Sequence, residues 1–124
     1  MIDEPDDSKA EAIRKLGHII AEAVELNVDE VTIEFAEDGG LEVCFIAGNT
    51  GVSAVLVPRE LEGEVMGLIA DRAGMADRPT GVLEWSFGDA KKTLFVEEYD
   101  SFGETAFRLL LKRPEPRKKK RKRR

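Results

Sequence analysis

Val31-Thr32-Ile33-Glu34-Phe35, then Glu37-Asp38-Gly39-Gly40, then Leu41-Glu42-Val43-Cys44-Phe45-Ile46: two alternating runs around a turn decide the fold class. Val31, Ile33 and Phe35 point one way while Thr32 and Glu34 point the other, the period of a strand with one buried face. Leu41, Val43 and Phe45 repeat the pattern against Glu42, Cys44 and Ile46. The Asp-Gly-Gly between them is turn chemistry. Gly48-Asn49-Thr50-Gly51 turns the chain again, and residues 52–57 make a third strand. Three strands joined by short glycine-rich loops predict an antiparallel meander.

Upstream, Ser8 and Glu11 have capping-box spacing, which predicts a helix from Ser8 to about Leu26. Ile13, Leu16, Ile20, Ala23 and Val24 form its apolar stripe. Arg14, Glu22 and Glu25 lie off it, and His18, about 200° round from Leu16, faces water. Residues 1–7 are expected to be a disordered acidic lead-in, not a basic-then-apolar secretory signal. Downstream, Pro58 opens a second helix whose stripe is Leu61, Val65, Leu68 and Ile69, and Gly74 ends it. Gly63 and Gly67 share one face of that helix. Close packing on the sheet is the simpler reading, and a contact surface for another protein is the alternative.

After Gly81 the strand period resumes. Leu83, Trp85 and Phe87 alternate with Val82, Glu84 and Ser86, and Gly88-Asp89-Ala90-Lys91 turns the chain. Residues 93–98 return, Asp100-Ser101-Phe102-Gly103 is a loop, and residues 105–111 form the last strand with Phe107, Leu109 and Leu111 inward. Trp85, Phe87 and Phe95 are expected mostly in the core. The order αβββαβββ predicts an α+β domain over residues 8–111, a mostly antiparallel sheet of about six strands with two helices on one face.

With 124 residues, 42% hydrophobic and 35% charged, the chain can build one core under a charged surface. No window approaches a membrane span, and the expected location is the cytoplasm. Cys44 is the only cysteine. It is expected to be a buried, inert thiol, and with His18 it cannot make a thiolate–imidazole zinc site. Phosphate-loop and dinucleotide glycine motifs are absent, as is any nucleophilic triad pattern. Glu97 and Glu98 are adjacent on a strand, so their carboxylates diverge, and with Asp100 and Asp38 they read as a solvated acidic face. No catalytic, metal-ligating or cofactor-binding residue is assigned, and no small-molecule substrate is expected.

The net charge of −6 conceals a split. Residues 112–124 hold ten cations and one acid, 10 − 1 = +9, so the other 111 residues carry −15. Lys112, Arg113, Arg117, Lys118, Lys119, Lys120, Arg121, Lys122, Arg123 and Arg124 bring no apolar side chains, and Pro114 and Pro116 break the preceding strand. A disordered basic tail is expected. It can bind a phosphate backbone through counterion release, an anionic membrane surface, or an acidic protein. It can also simply solvate the chain. Without interleaved aromatics it cannot read bases by stacking.

Several strings resemble the domain preceding the motor domain in type II secretion and type IV pilus assembly ATPases. They are Val28-Asp29-Glu30-Val31-Thr32-Ile33-Glu34, Gly40-Leu41-Glu42-Val43-Cys44-Phe45, Ala73-Gly74-Met75-Ala76-Asp77-Arg78 and Ser101-Phe102-Gly103-Glu104-Thr105-Ala106-Phe107-Arg108-Leu109-Leu110. Together they span about residues 27–111, and their shared order carries more weight than any one string. The resemblance implies a PAS-like fold, a bacterial source, and a docking or regulatory role toward such an ATPase. It implies a stand-alone, degenerate copy without the motor. Where the family strand carries arginines that reach nucleotide, this chain has Glu42, Cys44 and Ile46, which cannot stabilise phosphate charge. The family histidine is Thr32 here, and a longer family segment shrinks to Arg78-Pro79-Thr80-Gly81. A nucleotide-sensing role is therefore not implied. The alternative function is a small nucleic-acid-associated protein that binds through the tail.

Overall fold

The expected order of two helices and six strands is the order observed: α1 (Glu4–Leu26), β1 (Glu30–Phe35), β2 (Leu41–Ala47), β3 (Thr50–Val57), α2 (Arg59–Arg72), β4 (Thr80–Phe87), β5 (Ala90–Ser101) and β6 (Glu104–Leu110). This is a computed structural model that describes residues 4–112, with side chains from residue 8 onward. All pairings are antiparallel, in one sheet of order β3-β2-β1-β6-β5-β4. Each half of the chain is a helix followed by a three-stranded meander. The halves join where β1 pairs β6, Val31 beside Leu109 and Ile33 beside Phe107.

The alternation read from the sequence sets the layers. Val31, Ile33, Leu41, Val43, Phe45, Leu83, Trp85, Leu94, Val96, Phe107 and Leu109 are buried on one face. That face shares a single core with Leu16, Ile19, Ile20 and Ala23 of α1 and Leu61, Val65, Met66 and Ile69 of α2. The helices therefore cover one side of the sheet and leave the other open. Among the described residues no helix is long and apolar enough to cross a membrane.

Several boundaries differ from expectation. The helix α1 begins at Glu4, a turn earlier than Ser8, so Ser8 is not its N-cap and residues 4–7 are helical rather than a disordered lead-in. Pro5 permits this, because in a first turn its missing N–H forfeits no intrahelical bond. Residues 1–3 lie outside the described residues. Val24, counted in the stripe, is exposed, and Ala12 and Ile19 are buried instead. The strand β5 reaches from Ala90 to Ser101, well beyond 93–98, because it keeps pairing β6 until Ser101 meets Glu104. The loop expected over residues 100–103 is thus only Phe102-Gly103.

Both helices stop in the same way. At α2, Gly74 (φ +68°) donates its N–H to Asp71 O at 3.2 Å and Met75 donates to Ala70 O at 3.0 Å. At α1, Asn27 (φ +57°) donates to Val24 O at 3.1 Å and Val28 to Ala23 O at 3.2 Å. These are Schellman closures, with buried Met75 and Val28 as their apolar latches.

The packing reading of Gly63 and Gly67 is overturned. Both are exposed, and a Cβ on either would meet nothing within 4 Å. They line a groove beside Lys9, Ala12, Leu68 and Asp71. Close approach occurs instead at Gly17, which faces the Trp85 indole, and at Gly81, where an added Cβ would lie 2.2 Å from Ala73 O. Trp85 has Arg72 stacked over its ring at 4.8 Å, so the indole is enclosed between α1 and α2. Phe87 is half-buried against the same core, whereas Phe95, expected there, pairs with Leu110 on the opposite face.

Candidate functional site

The open face of the sheet gathers the residues the alternation had left polar. Strand register builds three rows across its centre. Glu97 of β5, Arg108 of β6, Thr32 of β1 and Cys44 of β2 form one. In the next, the Tyr99–Ala106 and Glu34–Glu42 pairs are linked by the Tyr99 side chain, and Phe95, Leu110, Glu30 and Ile46 form the third.

Arg108 is the hub. Its Nη1 donates to Glu97 Oε1 at 3.1 Å, and its Nε lies 3.4 Å from Glu30 Oε2. Its guanidinium sits 4.7 Å over the Tyr99 ring. Burial works against the Arg108 charge, but Glu97 and then Glu30 outweigh it, so its pKa is raised. Tyr99 stretches across buried Ala106, and its hydroxyl donates to Glu34 Oε2 at 2.5 Å. Burial, then the Glu34 bond and charge, push the Tyr99 phenol well above its ordinary value. Ionised Tyr99 would lose that bond and face Glu34 as a like charge.

This gives a direct expectation. Tyr99 is the only tyrosine, so ultraviolet titration of phenolate reads it alone. In the folded chain the absorbance should stay flat through the ordinary tyrosine range, near pH 10. Because the folded pKa is raised, the stabilisation is complete below the unfolded value and is lost as pH rises toward the folded one. Alkaline unfolding and phenolate appearance should therefore coincide. A midpoint near the free value in folded protein would contradict the Tyr99–Glu34 bond.

Cys44 is half-buried on this face, not fully buried as expected, because it alternates with the inward Val43 and Phe45. Burial first, then Glu42, raise its pKa against a weaker opposing bond from Thr32. The thiol is held protonated, which disfavours reactivity. His18 is exposed as expected.

At one end of the open face, the β5–β6 hairpin turns through Phe102 and Gly103, with φ +52° and +86°. A two-residue hairpin loop with both φ positive is a type I′ turn, which favours Asn-Gly. Here a phenylalanine takes the first position and is fully exposed. Asp100 braces the turn by accepting the Gly103 N–H at 3.3 Å. Beside it lies a groove of about 510 Å³ lined by Phe102, Phe35, Glu34, Glu37, Glu42 and Glu104.

At the other end, Lys112 is the one residue of the expected basic tail that is described. Its Nζ lies 2.7 Å from Asp29 Oδ1, and Asp29 Oδ2 accepts the Gly48 N–H at 2.6 Å. Lys112 and then Gly48 hold the Asp29 carboxyl below its ordinary value. Arg113, Arg117, Lys118, Lys119, Lys120, Arg121, Lys122, Arg123 and Arg124 lie outside the described residues.

Sequence reading missed the Arg108 cluster and Phe102. The signal for the first was present, since Glu30, Thr32, Glu34 and Arg108 all alternate with inward residues. Their convergence required knowing that the first and last strands pair. Among the described residues no group of three or more His, Cys, Asp or Glu side chains is arranged to hold a metal ion. Compared with known proteins, the chain matches no family model and no curated relative.

Proposed function

We propose that this chain is a non-catalytic protein-interaction module, related to the domain that precedes the motor in secretion and pilus assembly ATPases. The observation that carries this is Phe102, a fully exposed aromatic on a turn that its side chain disfavours. A non-glycine residue at positive φ costs on the order of 1 kcal/mol, and such strain concentrates at functional sites. An exposed ring held there at a cost is a natural contact point for another protein. Phe102 also lies within the string that most resembles the ATPase domain. The neighbouring polar groups support binding over chemistry. Arg108 is already engaged by two carboxylates, and Tyr99 is fixed as a donor to Glu34. Neither is left to act as an acid or base.

The test separates stability from binding. Phe102→Asn should stabilise the fold by about 1 kcal/mol, because Asn tolerates the left-handed region. The same variant should lose binding to a purified assembly ATPase of this class. A variant that is more stable and binds equally well would sink the Phe102 contact. Failure of the wild-type chain to bind any such ATPase, in nuclease-treated preparations, would sink the partner class.

A further inference from the structure

We propose that the open face of the sheet, from Asp29 at one end to Glu104 at the other, seats the chain's own basic segment, residues 113–124. The inference goes beyond the docking role above and does not rest on it.

Charge complementarity is the first ground. Residues 113–124 carry nine Lys or Arg and one Glu, 9 − 1 = +8, which leaves −14 on residues 1–112. On the four central strands the open face presents Glu30, Glu34, Glu42, Glu97 and Glu104 against two cations, Arg108 and Lys91, and Lys91 is engaged by Glu84 of the edge strand β4. Arg108 engages Glu30 and Glu97. Glu34 accepts a bond from the neutral Tyr99 hydroxyl and has no ion pair among the described residues. Glu42 and Glu104 have no ion pair among the described residues. The charge without an ion pair therefore gathers at the Phe102 end, where Glu37 adds to it and the exposed ring offers an arginine a cation–π seat.

The second ground is where the segment starts. Leu111 donates its N–H to Asp29 O at 3.0 Å, and the Lys112 ammonium sits on Asp29 Oδ1 at 2.7 Å. The first cation of the run is thus already docked on an acid of the body. It is held at the end of β1 and β6, the strands that carry Glu30, Glu34, Glu104 and Arg108.

The third ground is length. Twelve extended residues reach roughly 40 Å at about 3.3 Å each. The seven residues of β6 span only about 24 Å. The segment can run from Lys112 back along the whole open face with residues to spare. Each exposed ion pair is weak alone, but the tether keeps the segment at high local concentration, so several act together.

Paramagnetic relaxation in the full chain tests this. A nitroxide is attached through Arg124→Cys in a Cys44→Ser background, since Cys44 is the only other thiol. At low salt, amide signals of β1, β2, β5 and β6 around Glu34, Glu42 and Glu104 should be lost, while those of α1 and α2 persist. The pattern should fade in high salt, where the screening length falls from about 10 Å at 0.1 M to about 3 Å at 1 M. It should also fade in the Glu34→Gln, Glu42→Gln, Glu104→Gln triple variant. Broadening that is absent, uniform or centred on the helices would overturn the proposal. So would broadening that appears when isotope-labelled chain without nitroxide is mixed with unlabelled nitroxide chain, because the seat would then belong to a second copy.

Discussion

Replacing Phe45 by alanine is expected to destabilise the domain by about 3–5 kcal/mol, the usual range for a buried Phe→Ala change. Phe45 is among the largest side chains with no exposed surface. It stands on β2, directly opposite Val31 of β1 and Ser53 of β3. The sheet cannot close over the gap without moving β1, and β1 is also fixed by β6. The loss is therefore transfer energy plus an unrelaxed cavity. Trp85, the only tryptophan, is buried beneath Arg72 and reports global unfolding. Urea melts followed by its fluorescence should show a lowered midpoint with unchanged slope. A shift under 1 kcal/mol would mean that the core around Phe45 collapses freely.

Gly81→Val is the second large effect, with an expected cost of about 3 kcal/mol or more from overpacking. The added Cβ would lie 2.2 Å from Ala73 O and 2.8 Å from Met75 Cγ. The first of these atoms is backbone and cannot rotate away. It is also the acceptor of the Val82 N–H at 3.3 Å, the bond that ties the end of α2 to the edge strand β4. The valine must lever the Schellman turn off the sheet. The control runs the other way. Gly63→Ala and Gly67→Ala meet nothing within 4 Å and should each stabilise the helix by up to about 1 kcal/mol. If Gly81→Val were tolerated like those two, the docking of α2 against β4 would be wrong.

That contrast shows how the sequence can mislead and how much it carries. Gly63 and Gly67 stand two places from Leu61 and Val65, about 200° away, so the wheel that put His18 in water puts them there too. Their shared face was visible, but its direction was misjudged. The alternation in 31–35 and 41–45 located two strands correctly, because a one-residue slip would put every apolar side chain in water. Pro58 and Gly74 bounded α2 because each acts through its own backbone. The start of α1 was missed because Ser8 and Glu11 satisfy a capping pattern that the chain does not use. The Arg108 cluster was hidden for a different reason. Glu97, Arg108 and Glu30 come from three strands, and nothing local to any of them says which strand will be its neighbour. Phe102 looked like an ordinary loop residue, since a positive φ at a phenylalanine leaves no mark in composition.

The pairing of β1 with β6 also sets the order in which the domain can assemble. Every other strand pair is a hairpin between sequence neighbours and closes a short loop. The central pair joins the two ends of the domain's sequence, so its loop entropy is the largest in the fold. Each meander can form early, but β1 keeps an unpaired edge until β6 arrives. The slow step of folding should be the closing of this central seam. Changes along it, at Val31, Ile33, Phe107 or Leu109, should then slow refolding more than equally destabilising changes in the outer hairpins.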